Sequence, residues 1–256
     1  MIWLYFLPAI VFAVFAILET IRPARAYALT QPSPSTWRLR GLISLGVYMG
    51  LGYQLPLFWD AVLAQYQLFD GTSLGTVGGA IAAFLVLELG IFLWHRTLHA
   101  VPFLWHHLHQ MHHSAERLDS YGAFYFNPLD MAGFIAVSSV TFALVIGVTT
   151  EAAVLASIAA TVLSVFQHAN IRTPAWLGYF VQRPESHFLH HERGVHARNY
   201  GDLPVFDLLF GSFANGRSFD GEVGFYDGAS SRIGEVLLGK DITQPPRLAS
   251  APDAHS

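Results

Sequence analysis

"VGGAIAAFLVLELGIFLWHRTLH" occupies residues 77–99. From Val77 to Trp94 it is apolar apart from Glu88. As a helix, a run of this length crosses a hydrocarbon core of about 30 Å. It then closes on "HRTLH", with His95 and His99 four residues apart. Residues at that spacing lie one above the other on one helix face. A membrane helix that ends in two stacked imidazoles is therefore the starting point for both fold and function.

Four further apolar stretches lie around it, at about 2–18, 41–59, 129–148 and 151–168. The whole chain of 256 residues is 53% hydrophobic and only 12% charged, about half the charge of an average soluble chain. Bilayer burial requires backbone groups satisfied within each segment, so the spans are expected to be helices. The expected fold class is all-α: a polytopic membrane helical bundle with a cytoplasmic histidine-rich metal-binding cap. The first stretch lacks a basic leader and is expected to be an uncleaved anchor. The expected division is an integral membrane domain over 1–225 and a partly disordered C-terminal extension over 226–256. The net charge of −4 gives no footprint for nucleic acid. With no cysteine, disulfides and Cys-ligated zinc or iron–sulfur sites are excluded.

Basic residues set the orientation. Of 14 Arg and Lys, four lie between the first two stretches, one (Arg96) ends the third, Arg117 follows it, and eight come after the fifth. None lies in 60–76 or in the 149–151 turn. The positive-inside rule then predicts an outer N-terminus and a cytoplasmic C-terminus. Thirteen arginines against one lysine, with many alanines, point to a bacterial inner membrane.

That topology gathers the histidines. His95 and His99 leave the third stretch on the cytoplasmic side. "HQMHH" (109–113) follows in the cytoplasmic connection, His168 ends the fifth stretch, and "HFLHH" (187–191) lies beyond it. In H-x-x-H-H the first histidine shares a helix face with both later ones. A lone histidine on an apolar helix is usually a hydrogen-bonded core residue, but three clusters arriving at one membrane face form a site. Imidazole suits Fe, Zn, Cu and Ni, so spacing does not name the metal. The eight box histidines exceed the roughly four to six ligands of one such ion, which implies two. His106, His107 and His196 break the pattern and are weaker candidates, and His255 lies in a polar tail. Glu116, Asp119, Glu185 and Glu192 lie near the boxes, as solvated interface charges or as orienting partners. Glu88, alone within its span, shares the face of His95 and His99 and is expected to bond a polar group from another segment, with His168 and Gln54 as candidates.

Two readings from other classes use the same residues: a haem-binding electron-transfer bundle, and a non-catalytic metal scaffold or transporter. The first needs histidines paired across a haem, and the second favours charges deep within spans.

"HRTLH", "HQMHH" and "HFLHH", in this order around paired hydrophobic helices, resemble the fatty acid hydroxylase / sterol desaturase superfamily. "LWHHLHQMHHS" (104–114), "FQHANI" (166–171) and "PESHFLHH…NYGDLPVFDLLFGSF" (184–213) extend the resemblance from about residue 80 to about 225. It departs at Tyr125 and Asn127, where relatives often carry Arg-x-His-Pro, and at Phe206, usually Trp. The resemblance implies a non-haem centre of two iron ions that uses O2 to hydroxylate or desaturate a lipid. It implies metal ligands at His95, His99, His109, His112, His113, His187, His190 and His191, with His168 as a further one. The expected partners are the lipid bilayer, a lipophilic substrate and a separate electron donor (a ferredoxin, or a cytochrome with its reductase).

Overall fold

The computed structural model describes residues 6–27 and 32–246. Helix α1 runs Leu7–Ile21 and α2 runs Pro34–Leu63. Ser33 starts α2: its side chain accepts the Thr36 N–H at 3.3 Å, and Pro34 fills the first turn, where no N–H is needed. A two-residue strand β1 (Phe69–Asp70) leads to α3, Gly75–Ala100. The chain turns at Val101 into α4 (Pro102–Leu104), a π-helical turn over Trp105–His109, and α5 (Gln110–His113). Helix α6, Pro128–Ser139, begins at Asn127, whose side chain accepts the Leu129 N–H, and continues as a π-helical stretch through Val145. Strand β2 (Ile146–Gly147) pairs in parallel with β1, Phe69 opposite Ile146. Helix α7, Thr150–His168, returns the chain to the histidine end. Three short helices follow: α8 (Pro184–His191), α9 (Pro204–Phe210) and α10 (Ile233–Leu237).

Among the described residues, four helical stretches are long and apolar enough to cross a membrane: Pro34–Tyr66, Thr72–Ala100, Pro128–Val145 and Thr150–His168. They contain the sequence-predicted spans at 41–59, 77–95 and 151–168 and most of 129–148. The first residues of the stretch at 2–18 lie outside the described ones; its described part is α1, which runs on to Ile21. Its end carries Glu19, which is buried and accepts the Ser120 N–H and O–H at 2.9 Å and the Asn170 N–H at 3.1 Å. These bonds fasten α1 to the cap.

Between spans, close packing replaces the hydrophobic effect, and small residues permit it. Helices α3 and α7 meet along Gly79, Ala80 and Ala83 on one side and Ala152 and Ala156 on the other, all buried. A Cβ on Gly79 would sit 3.2 Å from the Ala152 methyl. Gly133 on α6 receives the Trp94 ring, which a Cβ there would meet at 2.5 Å. Ile43, Leu57, Phe58, Val77, Ile81 and Leu85 face outward, as lipid-facing side chains do.

The cap, residues 102–127 and 169–246, covers the end where α3 and α7 finish. Trp37 near the start of α2 donates to Asp119 at 2.9 Å, and Arg40 donates to the Ser230 carbonyl at 3.1 Å. Trp37, Met111, Tyr125, Phe225, Val236 and Ile242 form its apolar core. Residues 226–246 are therefore continuous with this core. The remainder of the expected extension, with His255, lies outside the described residues.

Candidate metal centre

The nine histidines named from the sequence meet in one place. His95 and His99 come from the last two turns of α3, His109 from the π-helical turn, and His112 and His113 from α5. His168 ends α7, and His187, His190 and His191 line α8. Their ring nitrogens fall into two groups: His95, His99, His109, His113 and His190 in one, and His112, His168, His187 and His191 in the other, the chosen nitrogens of each lying within 4.8 Å of one another. All are buried except His99, which is half-buried. His106 and His107 lie outside both groups. The His107 ring stacks on Phe103 at 4.3 Å and its Nδ1 bonds the Phe103 carbonyl. The π-helical turn explains the exclusion: it widens the helix between His106 and His109, so only the latter turns inward. His196 touches the site from outside, with its Nδ1 3.1 Å from that of His113.

Hydrogen bonds on the outer ring nitrogens fix the tautomers. His95 Nδ1 lies 2.8 Å from the Tyr200 carbonyl, and His109 Nδ1 lies 2.7 Å from Asp130 Oδ2. Both partners are acceptors, so each Nδ1 carries the proton and donates. Each Nε2 then presents a bare lone pair, yet the two Nε2 atoms stand 3.0 Å apart. His168 Nδ1 likewise donates to the Ser164 carbonyl, and its Nε2 lies 3.0 Å from those of both His112 and His187. His99 Nε2, buried, has no hydrogen-bond partner. Facing lone pairs and an orphaned nitrogen suit a cation held between them. The donor set fits two transition-metal ions, one in each group.

Burial drives His112, His113, His187, His190 and His191 well below the ordinary histidine pKa, with neighbouring imidazoles adding to the effect. At neutral pH they are uncharged, the form that binds metal. In the unfolded chain such rings take up protons near pH 6.5. Folding therefore sheds protons, so this contribution to stability is complete above about pH 6.5 and is lost as pH falls below it. The thermal midpoint of metal-free protein is expected to be level between about pH 7 and 8 and to drop on acidification below about 6.5. A midpoint that rises on acidification would contradict neutral burial.

Asp130 is a functional residue that sequence reading missed. It is wholly buried in the first turn of α6 and takes His109 as its partner. In the sequence it looks like an acid placed at a helix N-terminus, 21 residues from the histidine it orients. Among the described residues, none of the four carboxylates that lie near the boxes hydrogen-bonds a histidine ring. Glu116 accepts the Ser230 N–H, Asp119 holds Trp37 and Arg117, and Glu185 holds Arg183 and Thr173. Glu192 accompanies Val223 in an isolated antiparallel bridge. The partners expected for Glu88 are also corrected. Gln54 is exposed on α2, and His168 is engaged by Ser164 and by the histidine cluster. Both Glu88 carboxylate oxygens are buried without a hydrogen-bond partner, and the nearest charge they feel is that of Asp202. Asp202, its carboxyl pushed up to about 6 by burial, accepts from Ser164 at 2.8 Å and Gln167 at 2.6 Å.

A cavity of about 190 Å³ opens onto the centre. Its far wall is Leu87 and Ile91 of α3, Met131, Phe134 and Ser138 of α6, and Ser157, Ala160 and Thr161 of α7. Its near end is His95, His109, His112, His168 and His187. Neighbouring rings in the cluster have centroids 4.2 to 5.6 Å apart, which leaves no flat slot for a porphyrin between them.

The sequence profile of the fatty acid hydroxylase family matches residues 80–212, just over half of the chain. A curated relative, sphinganine C4-monooxygenase 1 of Arabidopsis thaliana, is 27% identical over 137 residues, which is 52% of this chain and 53% of the relative. The chain thus spans about half the length of the relative it matches. No solved structure matches the chain.

Proposed function

The chain belongs to the fatty acid hydroxylase family, and we propose that it is a membrane-embedded oxygenase that hydroxylates or desaturates a long-chain lipid. The observation that carries this reading is the cavity: a pocket among α3, α6 and α7, apolar on its α3 and α6 walls apart from Ser138, that ends on five imidazoles. A lipid chain entering from the bilayer meets Leu87, Ile91, Met131 and Phe134, which exclude water and lead it to the histidines. Bound by the two histidine groups, a pair of iron ions would supply O2 activation. The chain's own part is positional. Asp130 and backbone carbonyls hold the imidazoles, and the cavity wall holds the C–H bond to be attacked. Serine and threonine hydroxyls on the α7 side of the wall suit an amphiphile, in keeping with the sphingoid base named for the curated relative.

For hydroxylation the balance is one C–H bond and one O2, with two electrons and two protons from a donor, giving one C–OH and one water. The electrons come from a separate protein, a ferredoxin or a cytochrome with its reductase, docking on the cap. Supplied with such a system and ¹⁸O2, the purified protein is expected to place one labelled oxygen in a lipid, or to form a double bond. Oxygen drawn from water would overturn the reading.

The orientation that goes with this function puts the cap in the cytoplasm of a bacterial cell. The ends of the spans opposite the cap carry no Arg or Lys in 60–76 or 149–151, whereas the cap side carries Arg25, Arg38, Arg40 and the arginines beyond α7. The chain has no cysteine, so introduced ones report cleanly. Asp70→Cys is expected to react with an impermeant thiol reagent on intact cells, and Asp220→Cys only after lysis. Reversed reactivity would invert the protein in the membrane.

A further inference from the structure

The two histidine groups are held to different degrees, and one short segment makes the difference. In the five-histidine group every Nδ1 has a partner. His99, His190 and His95 contact the carbonyls of His196 (2.9 Å), Arg198 (2.6 Å) and Tyr200 (2.8 Å), every second residue of a single loop. His109 has Asp130, and His113 has the His196 ring. The four-histidine group has far less: His168 bonds Ser164, His187 Nδ1 has no partner, and His112 Nδ1 has none with hydrogen-bond geometry.

The loop is bent against its own preference to do this. His196, Arg198 and Asn199 have φ of 41°, 70° and 50°, the left-handed region that L-residues other than Asn and Asp seldom occupy. Such a conformation persists only where the surroundings over-determine it. Here the determinant is Asn199, which is wholly buried. Its Nδ2 donates to the Ser186 and Ala214 carbonyls, both at 2.8 Å, and its Oδ1 accepts the Ala214 N–H at 2.7 Å. Its backbone N–H donates to the Ser212 carbonyl at 3.0 Å, and its own carbonyl accepts from Gln182 at 3.1 Å. Asn199 therefore sits between the carbonyls of 198 and 200 and fixes both. Meanwhile three of the four histidines in the looser group line the cavity, against two of the five in the other.

We propose that the two metal positions are unequal. The five-histidine position holds its ion tightly, with Asn199 as the positioning residue that sets the affinity, and the four-histidine position, facing the cavity, is the exchangeable one. This rests on reading the site as a two-metal centre, and the following experiment separates the two ideas. The detergent-purified protein is loaded with cobalt(II), a redox-stable probe, and dialysed against graded chelator, with metal per chain read by mass spectrometry. Release is expected in two steps with a plateau near one ion per chain, the steps separated by at least about 10-fold in affinity, as the loss of outer partners from a site commonly gives. His112→Ala should abolish the loose step and keep the plateau ion, and His99→Ala should do the reverse. Asn199→Asp tolerates the left-handed φ but turns two donors into acceptors; Asn199→Gly tolerates it and removes the side chain. Both should weaken the plateau ion by about 10–100-fold and leave the loose step in place, whereas a merely structural role would weaken both ions alike.

Release of two ions in a single step would overturn the inequality while leaving the two-metal reading intact. So would a plateau ion that survives His99→Ala but not His112→Ala. Protein that binds no cobalt overturns both. If neither Asn199 variant folds, the wild-type release curve and the two histidine variants still decide the inequality, and equal weakening of both ions in Tyr200→Ala, made in place of the Asn199 variants, would remove the loop from the account.

Discussion

Purified protein carrying His112→Ala together with His190→Ala is expected to lose nearly all bound metal and to make no detectable oxygenated lipid. The two changes take one imidazole from each group, His112 from the four and His190 from the five. Each also strands neighbours. His112 Nε2 is 3.0 Å from His168 Nε2, and His190 Nε2 is 3.1 Å from His113 Nε2, so each loss opens a gap in the ring of lone pairs. Removing the outer partner of a metal ligand commonly costs 10–100-fold in affinity, and removing the ligand itself costs more. His107→Ala is the matched control, because that ring stacks on Phe103 and reaches neither group. Metal per chain, measured directly, decides the matter. Wild-type content in the double variant would remove the centre.

The second large effect concerns access. Ala160 lies on the cavity wall, part-way along α7. Ala160→Phe is expected to cut turnover by about 100-fold or more while leaving the metal in place. Such a loss corresponds to about 2.7 kcal/mol of transition-state stabilisation. Overpacking a well-packed site costs about 1–3 kcal/mol of stability, so metal content also serves as the check that the centre remains assembled. Full turnover with Phe at 160 would mean that substrate reaches the histidines by another path. Together the two variants separate the chemistry from the route to it, since one removes metal and the other leaves it.

The parts of this protein that could be read from its sequence are those coded by spacing. Imidazoles three and four apart share a helix face wherever the helix lies, so the boxes at 95–99, 109–113 and 187–191 declared themselves. His168 was legible by a longer argument, because counting spans brought it to the same end of the bundle. The π-helical turn at Trp105–His109 was not legible, since its pitch depends on how α3, α5 and α6 pack around it. Asp130 was hidden because a pairing across 21 residues leaves no local pattern. The carbonyls of His196, Arg198 and Tyr200 were hidden for a deeper reason: every residue has a carbonyl, and only the backbone conformation decides where it points. The bonds that tie the end of α1 into the cap were hidden in the same way, since Glu19 meets Ser120 and Asn170 more than 100 residues away.

One consequence follows from the order in which the centre's pieces occur along the chain. Helix α8 is the last to be synthesised of the segments that contribute histidines, and it serves both groups: His190 joins the five, and His187 and His191 join the four. During synthesis all four membrane-spanning stretches, which end at His168, precede it. A nascent chain can therefore finish inserting into the bilayer while neither metal position is complete. Both histidine groups close together, when residues 187–191 fold back onto the ends of α3 and α7, so their completion waits until every long apolar helix has been made.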